Sequence, residues 1–319
     1  MATWWQNRSM TLINLPGTSL TVSNLCFGGN VFGWTADETL SHRLIGEFLE
    51  LGGNFIDTAD VYSAWKPGNQ GGESETVIGS WLKSGGRRDS VVIATKVAML
   101  ETRKGLSAAN IVAAVDDSLR RLQTDYIDIY YAHDDDKTVP LAETLGAFDS
   151  LVRAGKVRHI AASNYEYARV AEAMQISKEN GLAKYIALQN RYSLVAREPY
   201  ESDGAKSVVD FGLAGLPYST LGSGFLSGKY RPGIETVSQR AAGVTEKYAT
   251  PENFELLDRV DALAARHEVS NTAIALAWLR AQAGVHSPLA SGRTLEQLRE
   301  LMVEVSLTAE ELAFVTGDN

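Results

Sequence analysis

Cysteine is almost absent. Cys26 is the single one in 319 residues, so no disulfide can form within the chain and a cysteine-rich zinc site is excluded. No run of about 18 apolar residues exists to span a bilayer, and residues 1–8 lack the apolar core of a secretory leader. Basic residues are in the minority, 30 against 39 acidic ones, for a net charge of −9. Nucleic acid and anionic membranes both demand a phosphate-neutralising face, so neither is an expected partner, although a pocket for one small phosphate is allowed. Repeats, low-complexity tracts and dividing linkers are missing as well. These absences predict a cytoplasmic protein with a single domain over 1–319, and they set no oligomeric state. What remains, 45% apolar and 22% charged residues, is the balance of a folded chain.

Short β-branched runs alternate with helix-period segments. Residues 10–14 and 20–23 flank Pro16-Gly17-Thr18 and read as a hairpin. Eight runs follow, at 25–28, 54–57, 91–96, 126–132, 157–163, 186–190, 215–219 and 286–290. Helical patterns lie between them at 38–51, 73–82, 108–122, 141–154 and 167–180, several stopping near Gly52, Gly85, Gly155 or Gly181. Strands separated by helices pair in parallel, and eight of them fit a closed (β/α)8 TIM barrel better than an open sheet. After the seventh strand, residues 222–251 read as a long irregular loop rich in Gly, Ser and Thr. Such a loop is commonly a functional cover, here expected to order when a ligand binds.

In a barrel of this kind, chemistry sits at the C-terminal ends of the strands. The second run ends in Asp57, with Tyr62 five residues on; the third delivers Lys96 and the fourth His133. Four polar groups from three adjacent strands then meet at one mouth. An ammonium beside a phenol favours phenolate, so Lys96 is expected to lower the pKa of Tyr62 while Asp57 holds Lys96. Such a tyrosine donates a proton to a developing alkoxide, and His133 orients the substrate oxygen.

At these residues the chain resembles the aldo-keto reductase superfamily. Gly53-Asn54-Phe55-Ile56-Asp57-Thr58-Ala59 with Tyr62 matches its characteristic segment, and Lys96 and His133 fall where its other catalytic residues belong. The likeness continues through Leu119-Arg120-Arg121-Leu122, Asp125-Tyr126-Ile127-Asp128, and Gly155-Lys156-Val157-Arg158 leading to Ser163-Asn164. The resemblance implies a (β/α)8 barrel that reduces aldehyde or ketone carbonyls with NADPH or NADH, or runs the reverse. It makes Tyr62 the general acid, tuned by Lys96 and Asp57, with His133 orienting the carbonyl. Ser163, Asn164 and Gln189 match residues that bind the nicotinamide carboxamide, and Tyr218 matches an aromatic stacked on its ring. Ser219, Leu221, Gly224 and Lys229 match a loop around the pyrophosphate. Arg293, Gln297 and Glu300 match positions near the adenosine, while Leu301 stands where an Asn often contacts adenine. Arg293, with Arg240 from the long loop, is the expected partner of a 2′-phosphate, which favours NADPH over NADH.

Other motifs read more plainly. Gly222-Ser223-Gly224 lacks the spacing and position of a Rossmann fingerprint. Asp134-Asp135-Asp136 lacks the spacing of a calcium loop, so no metal is expected. Ser80-Trp81-Leu82-Lys83 lies on an ordinary amphipathic helix, and Asn7-Arg8-Ser9 is a glycosylation sequon only in a secreted chain. Trp81, Trp278 and Cys26 are expected in the core. Trp34 and Trp65 lie in loops after the first two barrel strands, as substrate-pocket walls or as simple loop packing. Two rival functions stand beside the reductase. One is a barrel aldolase with a Schiff base on Lys96, disfavoured by the Asp57 carboxylate that would keep the amine protonated. The other is a nicotinamide-binding regulatory subunit with little turnover.

Overall fold

The alternating runs and helices close into a parallel barrel in the computed structural model, which describes residues 10–234 and 241–318. A hairpin of β1 (Leu12–Asn14) and β2 (Thr21–Ser23) comes first. The barrel strands are β3 (Cys26–Gly28), β4 (Phe55–Asp57), β5 (Val92–Val97), β6 (Ile127–Ala132), β7 (Val157–Ser163), β8 (Tyr185–Gln189), β9 (Ala214–Gly215) and β10 (Leu289–Ala290). They pair in chain order, and β10 returns to β3. Between β9 and β10 the wall is completed by bonds from His286 N to Gly215 O and from Leu289 N to Pro217 O, both 2.8 Å. Helices α1 (Glu38–Glu50), α2 (Glu73–Lys83), α3 (Ala108–Leu122), α4 (Leu141–Arg153), α5 (Tyr167–Asn180) and α6 (Ala205–Phe211) follow β3 to β8 in turn. Next come α7 (Ala241–Tyr248), α8 (Pro251–His267) and α9 (Asn271–Arg280), then α10 (Leu295–Leu301) and α11 (Ala309–Thr316) after β10.

The strands expected at 215–219 and 286–290 shrink to two residues each. Pro217 and Pro288 sit inside those runs and have no N–H to give a ladder. The expected loop at 222–251 is not irregular throughout. Residues 222–227 form a short 3-10 turn, and α7 occupies 241–248. Thr250 accepts a bond from Asn253 N to cap α8, whose first residue is Pro251. Residues 235–240, Arg240 among them, lie outside the described residues, as does the Asn7-Arg8-Ser9 sequon.

Side chains alternate across each strand, and this sorts the barrel into two cores. Ile56, Ile93 and Leu188 face the helices, with Trp81 and Trp278. Phe55, Ala94 and Ala187 face inward, with Cys26, Ile129 and Tyr131. Two residues further along the same faces come Asp57, Lys96 and Gln189. The interior is thus apolar at its base and polar at its C-terminal mouth. The hairpin seals the base, placing Leu15, Leu20 and Val22 in the inner core. No helix among the described residues is long and apolar enough to cross a membrane.

Candidate active site

Strands β4, β5 and β6 are neighbours, so their ends share one stretch of rim. Lys96 is fully buried there, and its ammonium donates three bonds: to Asp57 Oδ2 at 2.6 Å, Thr58 O at 2.8 Å and Tyr62 OH at 2.9 Å. Tyr62 OH donates to Asp57 Oδ2 at 3.0 Å. The His133 ring lies edge-on to the Tyr62 ring, 6.0 Å between centroids. The four residues expected from the strand ends therefore do converge. The three acceptors use all three donors of Lys96, and burial leaves its nitrogen no path to a carbonyl carbon, which speaks against the Schiff-base reading.

The electrostatics differ from the expectation on one point. Burial first, and then the Asp57 carboxylate, hold the Tyr62 phenol well above the ordinary tyrosine range. The predicted lowering by Lys96 is outweighed, because the phenol faces a carboxylate as closely as an ammonium and is partly withdrawn from solvent. Burial lowers Lys96 itself, with Asp57 opposing. Burial and the charge of Lys96 push His133 far below its usual value, so its imidazole is neutral. His133 Nδ1 is buried with no partner among the described residues.

A cavity of about 370 Å³ opens beside Asp57 and Tyr62 and extends as a cleft. Tyr218, Ser219, Leu221, Gly224, Lys229, Arg293, Gln297 and Glu300 are among the residues that line it. Positive φ angles at Ser219 (55°), Gly222 (55°), Ser223 (57°) and Gly224 (96°) coil the loop after β9. Consecutive turns of this kind form the concave backbone nests that receive phosphate oxygens, and Lys229 adds a cation beside one. An extended dinucleotide fits this set of groups. Gln297 Oε1 accepts a bond from Arg293 N at 3.0 Å.

Ser163, Asn164 and Gln189 lie behind the cleft lining rather than on it. Ser163 Oγ donates to Gln189 O at 2.8 Å, and Gln189 Nε2 donates to Asp57 Oδ1 at 2.9 Å. Asn164, held at φ 61°, donates to His133 O at 2.9 Å and accepts from Tyr218 OH at 2.8 Å. Trp34 lines the cavity. Trp65 does not, but meets Trp34 edge-on at 5.6 Å and Tyr62 at 6.0 Å, with 47% of its surface exposed. The acidic run divides its attention: Asp135 pairs with Arg169 at 2.9 Å, while Asp136 accepts from Leu106 N and Thr138. Asn30 and Ser291, joined at 2.6 Å, also line the cleft and were not singled out from sequence. Their only signal was position, just past the ends of β3 and β10.

Comparison with known proteins fits this geometry. A profile of the aldo/keto reductase family matches residues 24–317. The chain belongs to the aldo/keto reductase family. Among its relatives, the oxidoreductase YrpG of Bacillus subtilis is 34% identical over 310 residues, covering 93% of this chain and 92% of that protein. An aryl-alcohol dehydrogenase of Pestalotiopsis microspora is 31% identical over 315 residues, covering 93% and 79%. Norsolorinic acid reductase B of Aspergillus parasiticus is 31% identical over 318 residues, covering 93% and 81%. As an aldo/keto reductase the protein is an oxidoreductase of the nicotinamide-dependent, carbonyl-reducing kind.

Proposed function

We infer that this aldo/keto reductase converts aldehyde or ketone carbonyls to alcohols, with NADPH as the preferred hydride donor and Tyr62 as the general acid. One observation carries the reading: the Tyr62 hydroxyl lies between the Lys96 ammonium and the Asp57 carboxylate, and it lines the same cleft as Tyr218, Lys229 and Arg293. The reduced nicotinamide, when bound, supplies the hydride. The chain supplies the rest. Tyr62 keeps its proton through the neutral range, because its pKa is raised, and gives it to the carbonyl oxygen. Lys96, 2.9 Å from the phenol oxygen, offsets the negative charge left there. Asp57 holds Lys96 in place, and the neutral imidazole of His133 orients the substrate oxygen. In the alcohol-oxidising direction the same groups take the proton back.

Tyr218, Ser219, Leu221, Gly224, Lys229, Arg293, Gln297 and Glu300 would hold the dinucleotide, with Ser163, Asn164 and Gln189 behind its nicotinamide end. Arg293 lines the cleft and would supply the cation that a 2′-phosphate needs. Trp34 and Trp65, set edge to face beside Tyr62, favour a flat apolar carbonyl compound. The direct test is Tyr62→Phe, which keeps the ring and removes the proton. Turnover of an aromatic aldehyde should fall about 10²–10⁴-fold while NADPH still binds. Retention of more than half the wild-type rate, with chemistry rate-limiting, would refute the assignment.

A further inference from the structure

The Asp57 carboxylate has two oxygens, and the proton-donating cluster uses one of them. Oδ2 accepts from both Lys96 and Tyr62, at 2.6 and 3.0 Å. Oδ1 accepts from Gln189 Nε2 at 2.9 Å. Gln189 ends β8, and in the strand order β10-β3-β4-β5-β6-β7-β8-β9 it stands four strands from β4, on the opposite wall. The bond joins residues 132 apart in sequence and crosses the barrel interior with both partners buried. Gln189 is itself held: its carbonyl oxygen accepts from Ser163 Oγ at 2.8 Å and from Asn164 N at 3.2 Å.

A carboxylate is free to rotate about its last bond, and in a dry barrel an oxygen without a donor is costly. Lys96 and Tyr62 converge on one oxygen and leave that rotation to be set from the other side. We propose that Gln189 is a cross-barrel positioning residue, which satisfies the second oxygen of Asp57 and thereby keeps the first aimed at Lys96 and Tyr62. This rests on the functional reading above and extends it. Resemblance makes Gln189 an anchor for the nicotinamide carboxamide, yet its Nε2 is committed to Asp57. Its second N–H and the amide's carbonyl oxygen remain for the cofactor, which links cofactor binding to the carboxylate behind Tyr62.

The test replaces Gln189 with leucine, similar in size and without a donor. In cofactor-free protein labelled with ¹³C at the aspartate carboxyls, Asp57→Asn identifies the Asp57 resonance. A carboxylate stripped of a donor changes its surroundings and regains rotation, so this resonance should move and broaden in Gln189→Leu. At saturating NADPH, where cofactor affinity no longer limits the rate, kcat should fall about tenfold. Should the leucine variant fail to fold, Gln189→Asn, whose shorter stem withdraws the amide, is read in the same way. An unmoved Asp57 resonance overturns the proposal. So does an unchanged kcat at saturating NADPH with weakened cofactor binding, which would make Gln189 a cofactor anchor alone. Tyr62→Phe, run alongside, separates the two ideas. If it keeps its turnover, the general-acid reading fails, and the Asp57 resonance still decides the role of Gln189.

Discussion

Replacing Asp60 with asparagine should stabilise this protein, and the gain should grow with pH. Asp60 lies two residues before Tyr62, fully buried, and both its carboxyl oxygens lack hydrogen-bond partners among the described residues. Glu75, whose charge acts on it, already accepts bonds from Thr95 Oγ1 and Arg121 Nε, each at 2.6 Å. Burial, then repulsion from Glu75, raise the Asp60 carboxyl from an ordinary 3.8 to about 8. Between those values the folded protein keeps a proton that the unfolded chain has released. Each pH unit in that window therefore removes about 1.4 kcal/mol from the free energy of unfolding. By pH 7 the cost reaches about 4 kcal/mol, and it stops growing once pH passes about 8 and the folded group ionises. An amide is neutral at every pH and avoids the cost. Urea unfolding of wild type and Asp60→Asn at pH 5 and pH 7.5 measures it. The variant's advantage should be about 3 kcal/mol larger at the higher pH. An advantage that does not change with pH, or a loss at pH 7.5, would refute the reasoning.

The salt bridge beside it gives the opposite effect: Arg121→Met leaves the fully buried Glu75 with only the Thr95 hydroxyl, and should cost about 3–5 kcal/mol in the same unfolding assay. Arg293→Ala should lower kcat/KM with NADPH about 10–150-fold and leave NADH nearly unchanged, as expected for loss of a charge-assisted contact worth about 1.5–3 kcal/mol. A cofactor ratio that does not move would remove Arg293 from phosphate recognition. Trp65→Ala should raise KM for an aromatic aldehyde about 2–12-fold relative to an aliphatic one of similar size, the range of a ring–ring contact; equal effects on both would leave Trp65 as loop packing.

The reach of the sequence can be judged from particular residues. Asp57, Lys96 and His133 were visible because each follows an apolar β-run, and the barrel rule turns strand ends into one mouth. The hairpin was visible in Pro16-Gly17. Geometry set by distant chain segments was not visible. The bond from Gln189 to Asp57 spans 132 residues, and no local spacing announces it. Nor does composition say whether an ammonium or a carboxylate governs a phenol; that balance depended on burial and on tenths of an ångström around Tyr62. The two short strands were over-read because β-propensity outlasts the hydrogen bonds that Pro217 and Pro288 cannot make.

The hairpin at the base of the barrel touches no reacting group, yet it bears on the chemistry. Leu15, Leu20 and Val22 close the end opposite the mouth, beneath Phe55, Ala94 and Ala187. Those three support Asp57, Lys96 and Gln189 on the same strand faces. The hairpin is an electrical insulator. Water rising through an open floor would raise the local dielectric, loosen the hold of Asp57 on Lys96, and ease the burial that keeps Tyr62 protonated. The acid at one end of the barrel is tuned in part by three aliphatic side chains at the other.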